Sequence, residues 1–168
     1  MKKSLFSLSL ISLFTVILFA CGDKPAPTPQ KTPEQLAVEA LTGSGSQTWG
    51  IAGGGSVTRS GSTVTDQYQN FELILNSGSA KTYTTRNNND LFDNSGNWSF
   101  AGTNFDKFSL TGAKPAAGRE ISFTRTGDNL RLEFNIPAPG ARINGTFAVA
   151  GSYVFNLVKK FSIIKLMF

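Results

Sequence analysis

From Gln47 onward, large apolar residues fall on every second position. Phe71, Leu73 and Leu75 alternate with Glu72 and Ile74, Trp98 and Phe100 with Asn97 and Ser99, and Phe108 and Leu110 with Lys107 and Ser109. Ile121 and Phe123 continue the pattern against Glu120, Ser122 and Thr124, as do Leu130, Leu132, Phe134 and Ile136 against Asn129, Arg131, Glu133 and Asn135, and Tyr153, Phe155 and Leu157 close the series. Successive side chains of a strand point to opposite faces, so this period of two predicts antiparallel strands with one dry and one wet face.

Turn signals separate the apolar runs: Gly53-Gly54-Gly55, Ser60-Gly61-Ser62, Asn76-Ser77-Gly78-Ser79, Asn87-Asn88-Asn89-Asp90, Asn94-Ser95-Gly96, Thr126-Gly127-Asp128-Asn129 and Pro137-Ala138-Pro139-Gly140. Glycine and asparagine accept the positive φ of tight turns, and the segment from Phe123 to Leu132 around Gly127-Asp128 reads as a hairpin. Short strands joined by short turns predict an all-β meander. Closure removes the two unpaired edges that an open sheet would leave, so the expected fold is an antiparallel up-and-down barrel of about eight strands, over residues 33–158.

One short helix precedes the strands. Thr32 is its expected N-cap, Pro33 its first residue, Gln35 the third residue of a capping box, and Gly43 its stop. Leu36, Ala37, Ala40 and Leu41 form its expected apolar face, which is too short to be stable unless it packs on the barrel. Residues 21–32 hold Pro25, Pro27 and Pro29 and no large apolar side chain, the composition of an extended tether.

Residues 1–20 read as a signal peptide: Lys2 and Lys3 are its basic start, Leu5 to Phe19 its apolar run, and Ala20 the small residue beside the cut. The run is shorter than the roughly 20 apolar residues of a membrane span. Cys21, the only cysteine, follows directly. Leu18-Phe19-Ala20-Cys21 resembles the lipobox of bacterial lipoproteins, which implies a diacylglyceryl group on the Cys21 thiol, attachment to a membrane through that lipid, and, with Gly22 rather than aspartate next, the outer membrane.

Sixteen basic residues stand against 11 acidic ones, and loss of Lys2 and Lys3 leaves 14 − 11 = +3 when the new amino terminus is acylated. That charge is dispersed, with Lys159-Lys160 the one adjacent basic pair after residue 20, whereas a nucleic-acid interface concentrates charge on one face. The chain has no histidine, and its one thiol is assigned to the lipid. His-based acid–base chemistry, cysteine nucleophiles, disulfides and most transition-metal ligand sets are therefore excluded, and neither an enzyme nor a cofactor is expected.

Thr48-Trp49 after the helix, Phe71-Glu72-Leu73, Tyr83-Thr84-Thr85, Gly96-Asn97-Trp98-Ser99-Phe100, Leu130-Arg131-Leu132-Glu133-Phe134 and Gly151-Ser152-Tyr153-Val154-Phe155-Asn156-Leu157 together resemble the small lipocalin-like lipoproteins of Gram-negative bacteria. The resemblance implies an eight-stranded barrel with a helix at one mouth, holding a small apolar molecule. The Gly-x-Trp signature of better-known lipocalins is replaced by Gln47-Thr48-Trp49, and no cysteine pair staples the barrel.

Candidate ligand-binding residues are Trp49, Tyr83, Trp98, Phe123 and Tyr153, because aromatic rings offer flat contact area and most of these carry a polar tip. Filling the core of a small barrel is the simpler role for the same residues, given 14 phenylalanines and both tryptophans at alternating strand positions. Arg125 continues the parity of Ile121 and Phe123 and is placed to meet a carboxylate head group, whereas Arg119, Arg131 and Arg142 read as solvated. Asn87-Asn88-Asn89-Asp90 with Asp93 is rich in oxygen but lacks calcium-loop spacing, and reads as a turn. The apolar tail from Phe161 to Phe168 has no place in the barrel pattern. Two functions follow: a lipid-tethered barrel binding a small apolar or amphipathic ligand, or a non-catalytic envelope module with a solid core and a protein or glycan partner.

Overall fold

The computed structural model describes residues 30–138 and 149–161. The strands are β1 (Ser46–Gly50), β2 (Ser56–Arg59), β3 (Ser62–Thr63), β4 (Glu72–Ser77), β5 (Lys81–Arg86), β6 (Ser95–Phe100), β7 (Lys107–Leu110), β8 (Ile121–Thr126), β9 (Asn129–Ile136) and β10 (Gly151–Lys160). They follow the helix α1 (Pro33–Thr42), and a 3-10 turn (Thr65–Tyr68) precedes β4. The expected alternation is cleanest in β9, whose eight residues are exposed and buried in strict turn.

Every pairing is antiparallel. Neighbours run β1-β4-β5-β6-β7-β8-β9-β10, and β10 returns to β1 through Thr48 opposite Lys160 and Gly50 opposite Val158, which closes an eight-stranded barrel. β10 runs to Lys160, two residues beyond the boundary expected near Val158. Its first half pairs with β2 instead, Tyr153 opposite Arg59 and Asn156 opposite Ser56. β1 and β2 are thus one strand interrupted by residues 51–55, between the partners Val158 and Asn156, with Ile51 buried and Ala52, Gly53 and Gly54 exposed. Gly55 permits the break: a Cβ there would lie 2.7 Å from the Asn156 carbonyl oxygen and 2.8 Å from Ile51 Cα, both backbone atoms that cannot yield. The β2–β3 hairpin hangs from β10 outside the ring.

Inside the barrel Trp49, Leu73, Leu75, Tyr83, Trp98, Phe108, Ile121, Leu130, Leu132, Tyr153, Phe155 and Leu157 are buried. Thr82, Thr84, Ser99, Ser109, Thr124, Arg131, Glu133 and Asn135 take the alternate, outward positions and are exposed or half-buried. A membrane-spanning barrel has the reverse arrangement, with an apolar outer band. Among the described residues no helix is long and apolar enough to cross a membrane.

α1 forms as its sequence predicts. Thr32 Oγ1 accepts from the Gln35 amide at 3.2 Å, Gln35 Oε1 accepts from the Thr32 amide at 2.9 Å, and Gly43 ends the helix at φ +59. Its packing face differs from the expected one. Leu41 and Thr42 are buried and Ala37, Val38 and Ala40 half-buried, whereas Leu36 is 54% exposed. α1 reaches the core through its C-terminal half, where Val38 packs against it, Leu41 is buried in it, and Trp49 donates from Nε1 to the Leu41 carbonyl at 2.8 Å.

Candidate functional site

The two ends of the barrel are where a ligand would enter, and chain segments occupy both. α1 lies at the end where β1 begins and where β8 turns into β9. Thr42 Oγ1 and Ser77 Oγ are hydrogen-bonded at 2.8 Å, and Glu34 pairs with Lys81 at 2.9 Å. The Lys81 ammonium also sits 5.7 Å from the Trp98 ring centroid and 5.2 Å from that of Phe100. Strand parity could have revealed Lys81, since it falls in step with the buried Tyr83 and Thr85 and so reaches the inner face at the mouth.

Arg125 falls in step with Ile121 and Phe123 in the same way, as its sequence position predicts, and its Nε and one Nη are hydrogen-bonded to the protein itself. Its Nε donates to the Gly127 carbonyl at 3.0 Å, and one Nη donates to the carbonyls of Glu39 at 3.3 Å and Ala40 at 3.2 Å. These carbonyls belong to the last turn of α1, where the helix dipole is negative and where α1 has no basic residue of its own.

At the opposite end the β5–β6 loop folds inward. Leu91 and Phe92 are buried, and the Phe92 ring lies 5.3 Å from Phe71, 5.6 Å from Phe134 and 5.7 Å from Phe155, centroid to centroid. Tyr68, from the 3-10 turn, packs edge-on against Phe155 at 5.1 Å. Neither plug is visible in the strand pattern, because a loop residue carries no period.

The candidate aromatic residues are likewise engaged. Trp98 Nε1 donates to the Asn76 carbonyl at 3.0 Å, Tyr83 Oη to the Thr111 carbonyl at 2.6 Å, and Tyr153 Oη to the Val149 carbonyl at 2.9 Å. With Trp49 on Leu41, each polar tip among them has a backbone acceptor. Phe123 is half-buried between Phe100 at 6.4 Å and Phe108 at 5.9 Å. Trp49 and Arg125 meet at the α1 mouth, Trp98 and Phe123 join the aromatic group of β6 to β8, and Tyr153 stacks on Phe134 at 5.4 Å in the other half. The candidates are therefore spread along the interior and do not converge on one point. Burial pushes the Tyr83 hydroxyl up to about 12, with the nearby Asp93 carboxylate adding to the rise. Burial also raises Tyr68 to about 12, with Tyr153 adding to the effect.

The oxygen-rich loop is an internally bonded turn. Asn88 Nδ2 donates to Thr85 Oγ1 and to Asn94 Oδ1, both at 2.9 Å, and Asn88 Oδ1 accepts from the Asp90 amide at 3.0 Å. Asp93 faces the β7–β8 loop instead, accepting from the amides of Ala113 at 3.0 Å and Lys114 at 2.9 Å. Among the described residues no group of three or more Asp, Glu, His or Cys is placed to hold a metal ion. Arg131 pairs with Glu133 and Arg119 reaches only the Pro115 carbonyl, both on the exterior. Cys21, Arg142 and residues 162–168 lie outside the described residues.

Two grooves flank α1 on the outside of the barrel. An open groove of about 510 Å3 runs between α1 and the β4–β5 turn, lined by Glu34, Val38, Glu39, Gly45, Ser77 and Gly78 among others. A shallower one of about 410 Å3 lies on the other side of α1, lined by Leu36, Glu39, Ala40, Arg125 and Gly127. The chain matches no protein-family model, and comparison with curated proteins and with solved structures gives no match.

Proposed function

We propose that the protein is a lipid-anchored, non-catalytic barrel of the bacterial cell envelope that works through its outer surface, with an interior given over to core. One observation carries the reading on function: Trp49, Tyr83, Trp98 and Tyr153 all spend their polar tips on backbone carbonyls, and Trp98 and Tyr153 pack against neighbouring rings of the core. A binding cavity keeps some convergent polar groups free for its ligand. The lipid anchor rests on Leu18-Phe19-Ala20-Cys21 and the proline-bearing tether, and the resemblance to lipocalin-like lipoproteins supports the envelope setting. The partner is then a protein or glycan met by the Asn-, Ser- and Gly-rich loops.

The groove beside α1 favours a second reading, binding of a small amphipathic ligand outside the core, with Val38 as its apolar wall. Two experiments test these readings. Labelled palmitate incorporated in cells should be lost in Cys21→Ser; retention of label would refute the anchor. Photocrosslinkers placed at Asn94, Ser62 and Gly78 should recover a macromolecular neighbour at one of them if the surface reading holds. A small-molecule adduct at Gly78 alone would select the groove instead.

A further inference from the structure

Large apolar side chains left in solvent number two among the described residues: Leu36, 54% exposed, and Phe161, 69% exposed. They lie far apart in sequence, yet both flank the β8–β9 turn. Leu36 lines the shallow groove whose far wall is Arg125 and Gly127. The next residue of that turn, Asp128, accepts from the Lys159 amide at 2.8 Å, and Lys159 lays its ammonium 5.2 Å from the Phe161 ring centroid. One mouth of the barrel thus carries both residues.

The ends of the described chain are at the same mouth. The chain enters the helix at Lys31 and Thr32, whose side chains bond Glu39 and the Gln35 amide, so the tether that leads back to Cys21 joins the barrel here. It leaves at Phe161, and the residues that follow include Ile163, Ile164, Leu166, Met167 and Phe168. Lys31 pairs with Glu39 and Lys159 with Asp128, while Arg125, in the wall of the groove beside Leu36, is held by backbone carbonyls.

From this placement we propose that the α1 mouth is the face the barrel lays on the lipid surface, with Leu36 and Phe161 entering the interface between head groups and acyl chains. The inference rests on the lipid-anchor reading and adds an orientation to it: the tether holds the barrel close, and two apolar side chains fix which end turns toward the membrane. Contact depends chiefly on apolar burial, with the Arg125 guanidinium beside Leu36 adding attraction to anionic lipid. The β2–β3 hairpin and the β5–β6 loop, at the other end, then point away from the membrane.

The test uses the acylated full-length mature protein in vesicles of phosphatidylethanolamine and phosphatidylglycerol carrying brominated acyl chains, which quench tryptophan on contact. Leu36→Trp and Phe161→Trp are compared with Ser62→Trp on the distant hairpin, and the unsubstituted protein, whose two tryptophans are buried, serves as blank. Added emission from positions 36 and 161 should fall about twofold in brominated vesicles, as expected for side chains lodged several ångströms below the surface, while that from position 62 is unchanged. The pattern should persist in phosphatidylethanolamine with phosphatidylcholine alone. Equal quenching at all three positions, or none, overturns the proposal. So does blue-shifted but unquenched emission at position 36, which in a dimer would mean a second copy covers the patch and in a monomer the chain's own tail. Intact mass of the same sample, read first, shows whether Cys21 carries acyl groups, so failure of the anchor is distinguished from failure of the orientation.

Discussion

The Arg125 guanidinium lies 5.7 Å from the ring centroid of Trp49, and the two residues grip successive carbonyls of one helix end, Arg125 those of Glu39 and Ala40, Trp49 that of Leu41. A strand residue here supplies the cation that the helix lacks. Arg125→Ala should cost about 2 kcal/mol in urea unfolding, from charge-assisted hydrogen bonds and the cation–π contact together. Arg125→Lys should recover less than half of that, because a compact ammonium cannot span three carbonyls. Full recovery by lysine would reduce the contact to simple charge.

The two loops opposite α1 are joined by Asp93, whose carboxylate accepts from the amides of Ala113 and Lys114. Gly112 makes room for it: its φ is +148, and a Cβ would fall 2.0 Å from Asp93 Oδ2. Asp93→Ala should destabilise by about 2 kcal/mol. Gly112→Ala should do at least as much alone, yet add much less in the Asp93→Ala background, where the clash is gone and only backbone strain persists. Additive losses would show that the two residues act separately.

Phe92 and Phe161 give opposite forecasts for the same truncation. Phe92 is buried among Phe71, Phe134 and Phe155, so Phe92→Ala should lose about 3 to 5 kcal/mol even though it sits in a loop. Phe161→Ala, at an exposed position, should stay within about 0.5 kcal/mol of the parent. A Phe92→Ala protein as stable as the parent would mean that the β5–β6 loop does not plug the barrel.

Alkaline stability should be set by tyrosine. Tyr68 and Tyr83 are held neutral by burial, each raised to about 12 from an ordinary value of 10.0. A group whose folded pKa is raised contributes stability fully present below the unfolded pKa and lost as pH climbs through the folded one. The barrel should therefore weaken between pH 10 and about 12, with phenolate absorbance for these two appearing late and together with loss of tryptophan emission. Phenolate appearing near pH 10 at Tyr68 and Tyr83, in a protein still folded, would contradict their burial.

The barrel was legible because strand parity is a local signal: Leu130, Leu132, Phe134 and Ile136 announce an inner face with no knowledge of their partners. The Gly127-Asp128 turn and the capping box at Thr32 are equally local, and both are found where the residues place them. What escaped is non-local. Leu36 shares a helical stripe with Leu41, but where α1 meets the strands decides that only Leu41 is buried. Leu91 and Phe92 fill a mouth from a loop, and the break between β1 and β2 is set by what β10 pairs with on either side of it. Arg125 was correctly placed on the inner face, yet its partner is a helix end more than eighty residues away in the chain. The candidate aromatic residues were identified as a group, and only coordinates show their polar tips already taken.

The central claim, a solid interior in an envelope-anchored barrel, is tested most directly by native mass spectrometry of the protein purified from its own membranes. The account predicts the mass of the acylated polypeptide alone, with Trp49 and Trp98 emission unchanged by added fatty acids. A small molecule retained in one-to-one amount, whose removal alters the emission of these two buried tryptophans, would contradict it.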